Sequence, residues 1–124
     1  MRLAGYLSLR YVGKLMNKNN SKLVLASQSP RRQELLKEIT NQFEVVPSAI
    51  KEMFDLGLRP EENARNIARA KAESIASEYS DCWVIGADTI VTLDDEIFGK
   101  PENKKGAERI LKRLSGREHI IVTG

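Results

Sequence analysis

Residues that commonly announce chemistry are scarce in this chain. Among 124 residues there is one cysteine, Cys82, and one histidine, His119. A lone cysteine excludes an intrachain disulfide and fits a reducing, cytoplasmic setting. One imidazole excludes a histidine cluster around a metal, and Cys82 has only His119 to activate it, so Cys82 reads as a small core residue. No apolar run approaches the roughly 18–20 residues of a membrane-spanning helix, so no membrane association is expected. The pattern G-x-x-x-x-G-K-[ST] is absent, which excludes a P-loop nucleotide site. An excess of one charge is absent too. The formal charge is +3, but residues 1–20 hold Arg2, Arg10, Lys14 and Lys18 and no acid, leaving 16 basic against 17 acidic residues in the remainder. That near-neutral body argues against a nucleic-acid surface.

Residues 1–20 read as a disordered basic leader of the kind an upstream start codon adds. A transit peptide shares its traits, whereas a secretory signal needs a longer apolar core and a small-residue cleavage site. From residue 21 the pattern alternates. Strands are predicted over 22–26, 43–47, 82–87, 89–93, 96–98 and 118–122, and helices over 30–39, 60–79 and 102–114. Residues 82–87 are nearly all apolar, as in a central strand covered on both faces, and 89–93 continue it. Asp94-Asp95 marks a tight turn, and Gly116 suits the end of the last helix. Such alternation predicts an α/β fold, a mixed and mostly parallel sheet flanked by helices.

Leu23-Val24-Leu25-Ala26-Ser27-Gln28-Ser29-Pro30-Arg31-Arg32 is the most informative stretch. A strand runs into a hydroxyl-rich turn and then a helix, with Ser29 as N-cap and Pro30 at the first helical position. Unpaired N–H groups and the positive end of the helix dipole favour an anion there. Ser27, Ser29, Arg31 and Arg32 add hydroxyl and guanidinium donors suited to phosphate oxygens.

Two further residues stand out on physical grounds. Asp88 follows a buried strand, at the carboxyl end where α/β proteins place ligands, and suits a base or a metal ligand. Thr89 beside it can bond a base edge or a phosphate. In the second helix, Ala64, Ile67, Ala68 and Ile75 define an apolar stripe, and Lys71 falls on it. A lysine there is paired, lines a cleft, or snorkels at the stripe's edge.

The Leu23–Leu36 segment resembles the opening motif of the Maf family, the septum-formation-inhibitor-like nucleotide pyrophosphatases. Three further stretches match that family in the same order: Phe43-Glu44-Val45-Val46-Pro47-Ser48 running to Glu52, Val84-Ile85-Gly86-Ala87-Asp88-Thr89, and Gly99-Lys100-Pro101 followed by Leu114-Ser115-Gly116-Arg117. The resemblance implies a Maf/ITPase-like fold. It implies phosphate contacts for Lys71 and Lys100 and an acidic metal-site role for Glu52. Arg31 and Thr89 place the chain with the dTTP/UTP subgroup. Maf-like proteins continue for roughly another third of their length, so residues 21–124 read as the N-terminal two-thirds of such a domain, with a strand edge left exposed.

On this reading Ser27, Ser29, Arg31, Arg32, Lys71, Thr89 and Lys100 bind substrate. Glu52 and Asp88 hold a divalent cation, Mg²⁺ or Mn²⁺, and Asp88 orients water at the α-phosphorus. The expected activity is hydrolysis of dTTP or UTP, and of related or modified nucleotides, to the monophosphate and pyrophosphate. The partner is the nucleoside triphosphate, with no nucleic acid and no membrane; the family leaves room for a homodimer. The alternatives are a non-catalytic cell-division regulator and an inactive remnant that still binds nucleotide.

Overall fold

A computed structural model describes residues 21–124. The expected leader over residues 1–20 lies outside the described residues. The elements follow the predicted order: β1 (Lys22–Ala26), α1 (Pro30–Lys37), β2 (Glu44–Val45), α2 (Pro60–Ala76), β3 (Cys82–Gly86), β4 (Thr89–Leu93), β5 (Glu96–Phe98), α3 (Lys104–Leu114) and β6 (Ile120–Thr123). None of the described helices is long and apolar enough to cross a membrane.

Where boundaries differ from expectation, local chemistry explains it. β2 is short because Pro47 has no N–H to continue the ladder after Val46 donates to Leu25 O at 3.0 Å. Asn103 caps α3 by accepting from the Gly106 N–H at 2.9 Å, which moves the start to Lys104. Gly116, at φ 70, sits just past the end of α3 in the left-handed conformation that glycine adopts without penalty.

The strands form two sheets, not one mostly parallel sheet. β2-β1-β3 is parallel and β5-β4-β6 is antiparallel. The expected continuity of residues 82–93 breaks between Gly86 and Thr89, where the chain leaves the first sheet and enters the second. Leu93 pairs with Glu96 across Asp94-Asp95, and a two-residue connection joins only antiparallel strands. Asp94 takes the left-handed conformation there, at φ 54. The central strand of the parallel sheet is β1, not β3. Four of the five β1 residues are buried, whereas Trp83 of β3 is 46% exposed. A continuous apolar run does not by itself tell a central strand from one paired on a single side.

Alternate residues of β1 feed the two faces of its sheet. Leu23 and Leu25 pack with Leu36 of α1, and Val24 and Ala26 pack with Ile75 of α2. The other end of α2 packs on the second sheet, where Ala64 and Ile67 meet Ile90 and Val122. Helix α2 therefore joins both sheets. It starts with Pro60, Glu61 and Glu62, and the Glu62 carboxylate accepts from the Arg59 backbone N–H at 3.0 Å. That bond, with the Arg59 guanidinium beside it, holds the Glu62 carboxyl below its usual range.

The apolar side of α3 is only partly covered: Ala107, Ile110 and Leu114 are half-buried, no residue of the helix is buried, and Leu111 is 66% exposed. An Arg113–Glu96 ion pair at 2.6 Å ties the helix to β5, and Glu96 holds the Arg113 guanidinium above its usual value.

Candidate active site

The seam between the two sheets is where chemistry gathers. Two features bring α2 against it. Gly86, the last residue of β3, lies so close to α2 that an added Cβ would stand 2.1 Å from Ala68 O. Asp88 then pairs through its backbone with Gly124, donating at 3.0 Å and accepting at 2.9 Å. The chain is thus held on both sides of the sheet change, and Asp88 is buried with its side chain turned inward.

Lys71 meets it from α2. The ammonium Nζ lies 2.7 Å from Asp88 Oδ1 and 2.6 Å from Glu52 Oε1. The lysine side chain is 12% exposed. It therefore does not snorkel to solvent; it is paired, as a cation on an apolar stripe must be. Glu52 reaches it from the loop that follows β2. Three elements far apart in sequence supply this one trio.

The trio lies in a cleft of about 830 Å³. Ser27, Ser29, Arg32, Thr89 and Lys100 also line it. The start of α1 is built as expected: the Ser29 hydroxyl accepts from Arg32 N at 3.4 Å, and Ser27 Oγ accepts from Ser29 N at 3.1 Å. Lys100 is exposed at the rim between Gly99 and Pro101, with no ion pair among the described residues. Arg31 is exposed on the surface of α1 and is not among the residues lining the cleft.

Arg32 has a second task that its place in an arginine pair does not reveal. Its Nη1 donates to Ala87 O at 2.8 Å, and its Nη2 donates to Thr89 Oγ1 at 3.0 Å. One guanidinium therefore grips both neighbours of Asp88 and ties α1 to the sheet change. The Thr89 hydroxyl is also within 3.1 Å of Thr123 Oγ1.

Several cleft-building residues escape a sequence reading. Asn63, 2% exposed, accepts from Asp55 N at 2.8 Å and donates to Asp55 O at 2.8 Å and Leu58 O at 3.3 Å, pinning one end of the Glu52 loop. At the other end Ser74 Oγ donates to Lys71 O at 2.8 Å and lies 2.9 Å from Ser48 Oγ. Asn63 precedes Ile67, Lys71 and Ile75 at the same four-residue spacing, so the pattern that singles out Lys71 also marks Asn63. Phe54 and Phe98 give the cleft an apolar wall; nothing in their local sequence signals it. Elsewhere, Cys82 packs beside Val24 and Ile75, and His119 is exposed with Nδ1 3.4 Å from Arg117 O.

Among the described residues no group of three or more His, Cys, Asp and Glu side chains gathers to hold a metal. Glu52 and Asp88 are two hard oxygen donors in the cleft that Ser27, Ser29 and Lys100 also line. Such a pair suits a hard divalent cation that completes its shell with phosphate oxygens and water.

Known proteins resemble this chain across almost all of its described residues. The sequence profile described as Maf-like protein matches residues 22–124. A protein of Ruminiclostridium cellulolyticum named dTTP/UTP pyrophosphatase is 45% identical over 103 residues, which are 82% of this chain and 53% of that protein. One of the same name from Carboxydothermus hydrogenoformans is 46% identical, covering 83% of this chain and 55% of the relative. Another from Syntrophus aciditrophicus is 48% identical, covering 83% and 50%. The chain spans about half the length of the curated relatives it matches.

Proposed function

This chain belongs to the Maf-like protein family, and from that premise we propose that it takes part in hydrolysing dTTP or UTP to the nucleoside monophosphate and pyrophosphate. The observation that carries the reading is the pair of carboxylates, Glu52 and Asp88, held on one sheltered ammonium beside the α1 start. A site made only to bind an anion would gain nothing from two acids, which repel phosphate. Acids set among cations suit a reaction in which water must be activated and charge must be held. The named pyrimidine nucleotides of the relatives supply the substrate class.

In the proposed reaction Ser27, Ser29 and the first N–H groups of α1 bind the phosphate chain, with Lys100 at the rim. Asp88 accepts a proton from water as its oxygen attacks the α-phosphorus, and the α–β bridging P–O bond breaks to release pyrophosphate. Lys71 and Lys100 offset the charge that accumulates on the leaving group. Glu52 and Asp88 would hold Mg²⁺ or Mn²⁺; such an ion, when bound, polarises phosphate oxygens and lowers the pKa of water. Arg32 keeps Asp88 in register by holding Ala87 and Thr89. The single thiol, partly buried, suits a reducing cytoplasmic setting.

Product analysis by anion-exchange chromatography tests the proposal. Incubation with dTTP or UTP and Mg²⁺ is expected to yield pyrophosphate and monophosphate. Orthophosphate and diphosphate would place attack at the γ-phosphorus and refute it. Nucleotide binding without any product would favour the non-catalytic alternative.

A further inference from the structure

We propose that Lys71 is the resident counter-cation of the metal site: its ammonium takes the place between Glu52 and Asp88 that a divalent ion would occupy, and the ion binds by displacing it toward substrate phosphate. This rests on the reaction proposed above, but its test requires no turnover.

The geometry sets up a competition. The ammonium stands 2.6 Å from Glu52 Oε1 and 2.7 Å from Asp88 Oδ1, and both Lys71 and Asp88 are sheltered, at 12% and 6% side-chain exposure. Two carboxylates and one ammonium leave the trio with a net charge of −1, so it still attracts a cation. Yet one oxygen of each acid is already spent on the lysine. An incoming divalent ion offers the same oxygens twice the charge. The lysine would then need a new anionic partner, because an unpaired ammonium is costly in so sheltered a position. A phosphate chain seated at the α1 start supplies one. Ion and nucleotide are thus expected to bind cooperatively, each making available the partner the other needs, and the coupling must be reciprocal. Without nucleotide, the lysine holds metal affinity down. Nothing about this role is visible in the spacing of the stripe, which says only that position 71 faces inward.

The test is titration of the protein with Mn²⁺ alone, followed by calorimetry, for wild type and Lys71→Met. The variant is expected to bind Mn²⁺ at least tenfold more tightly, and Glu52→Gln in the Lys71→Met background is expected to abolish that gain. Heat unfolding supplies a second readout: Mn²⁺ should raise the midpoint of Lys71→Met far more than that of wild type. If the variant is unfolded without metal, refolding on addition of Mn²⁺ is the expected result. If it stays unfolded, wild type decides: the Lys71 Nζ resonance in ¹H–¹⁵N spectra should shift as Mg²⁺ is added, and an unmoved resonance at saturating Mg²⁺ overturns the proposal. Equal Mn²⁺ affinity in wild type and Lys71→Met overturns it as well. Pyrophosphate release alongside equal affinities would sink this inference and leave the proposed reaction standing. Tighter Mn²⁺ binding by the variant with no pyrophosphate release by wild type would do the reverse.

Discussion

Asp88 and Lys71 are each other's reason for being where they are. A buried carboxylate needs a cation, a lysine on an apolar stripe needs an anion, and at 2.7 Å they satisfy one another. Replacing Lys71 by methionine suits the stripe sterically but strands Asp88. The expected cost is ~3–5 kcal/mol, the usual penalty for breaking a buried pair by removing one partner. Urea unfolding of Lys71→Met without metal measures it; an unchanged midpoint would mean that solvent reaches the carboxylate. Asp88→Asn is gentler, since the amide oxygen still accepts from Lys71 and Glu52 keeps its own contact. Turnover is expected to be nearly abolished, while nucleotide affinity stays within about tenfold, or ~1.4 kcal/mol. Near-normal turnover would move the base to Glu52. Arg32→Lys probes the grip on Ala87 O and Thr89 Oγ1. A lysine cannot span both acceptors as a planar fork does, so kcat should fall more than KM rises; the opposite split, read from steady-state kinetics, would mark Arg32 as chiefly a phosphate ligand.

For the elements, the contact between β3 and α2 matters most. Gly86→Ala inserts a methyl group where Ala68 O already stands 2.1 Å away, and backbone cannot step aside as a flexible side chain can. Overpacking of this kind costs ~1–3 kcal/mol. It should also push Lys71 away from Asp88, so loss of nucleotide binding is expected to accompany the fall in the urea midpoint. The start of α2 gives a pH dependence. Glu62 is held below its usual value by the Arg59 backbone N–H, so its contribution is present above the unfolded glutamate pKa and is lost as the pH falls through the lowered value. Glu62→Gln should lower the thermal midpoint at pH 7, and by progressively less as the pH is lowered through the acid range. A difference of constant size across the acid range would show that charge plays no part in the cap.

Across the described residues, α2 fastens the parallel sheet to the antiparallel one. Ile75 anchors α2 to the parallel sheet and Ile67 anchors it to the antiparallel one. Lys71 lies midway between them, one helical turn from each, which is why the ionic trio forms at the seam. Truncation of either anchor to alanine is expected to cost ~2–5 kcal/mol, typical for a buried isoleucine. Because both sheets lean on the same helix, each variant should unfold in a single transition detected equally by fluorescence of Trp83 and by circular dichroism. Separate transitions for the two probes would mean that the sheets are independent units.

Sequence alone determines the helix that opens with Ser29 and Pro30, because capping and proline geometry are local. It determines the stripe on α2, because a 3.6-residue period needs no partner to be visible. The tight turn at Asp94-Asp95 and the stop at Gly116 are local in the same way. It also reveals the family, since four motifs stand in order. Tertiary structure alone decides the rest. The division into two sheets turns on the inward Asp88 and its pairing with Gly124, residues 36 positions apart in the chain. β1 rather than β3 became the central strand, since an apolar run records burial but not the number of neighbours. The apolar side of α3 shows the converse: periodicity predicts a face but not what covers it. Arg31 and Arg32, equivalent as a pair of cations, part company because one helical step turns the first to solvent and the second toward Ala87 and Thr89. Glu52, an ordinary loop acid by its neighbours, becomes half of the carboxylate pair because Ser48, Ser74 and Asn63 pin its loop to α2. Distances between groups on separate elements are set by packing, and packing is a property of the whole chain.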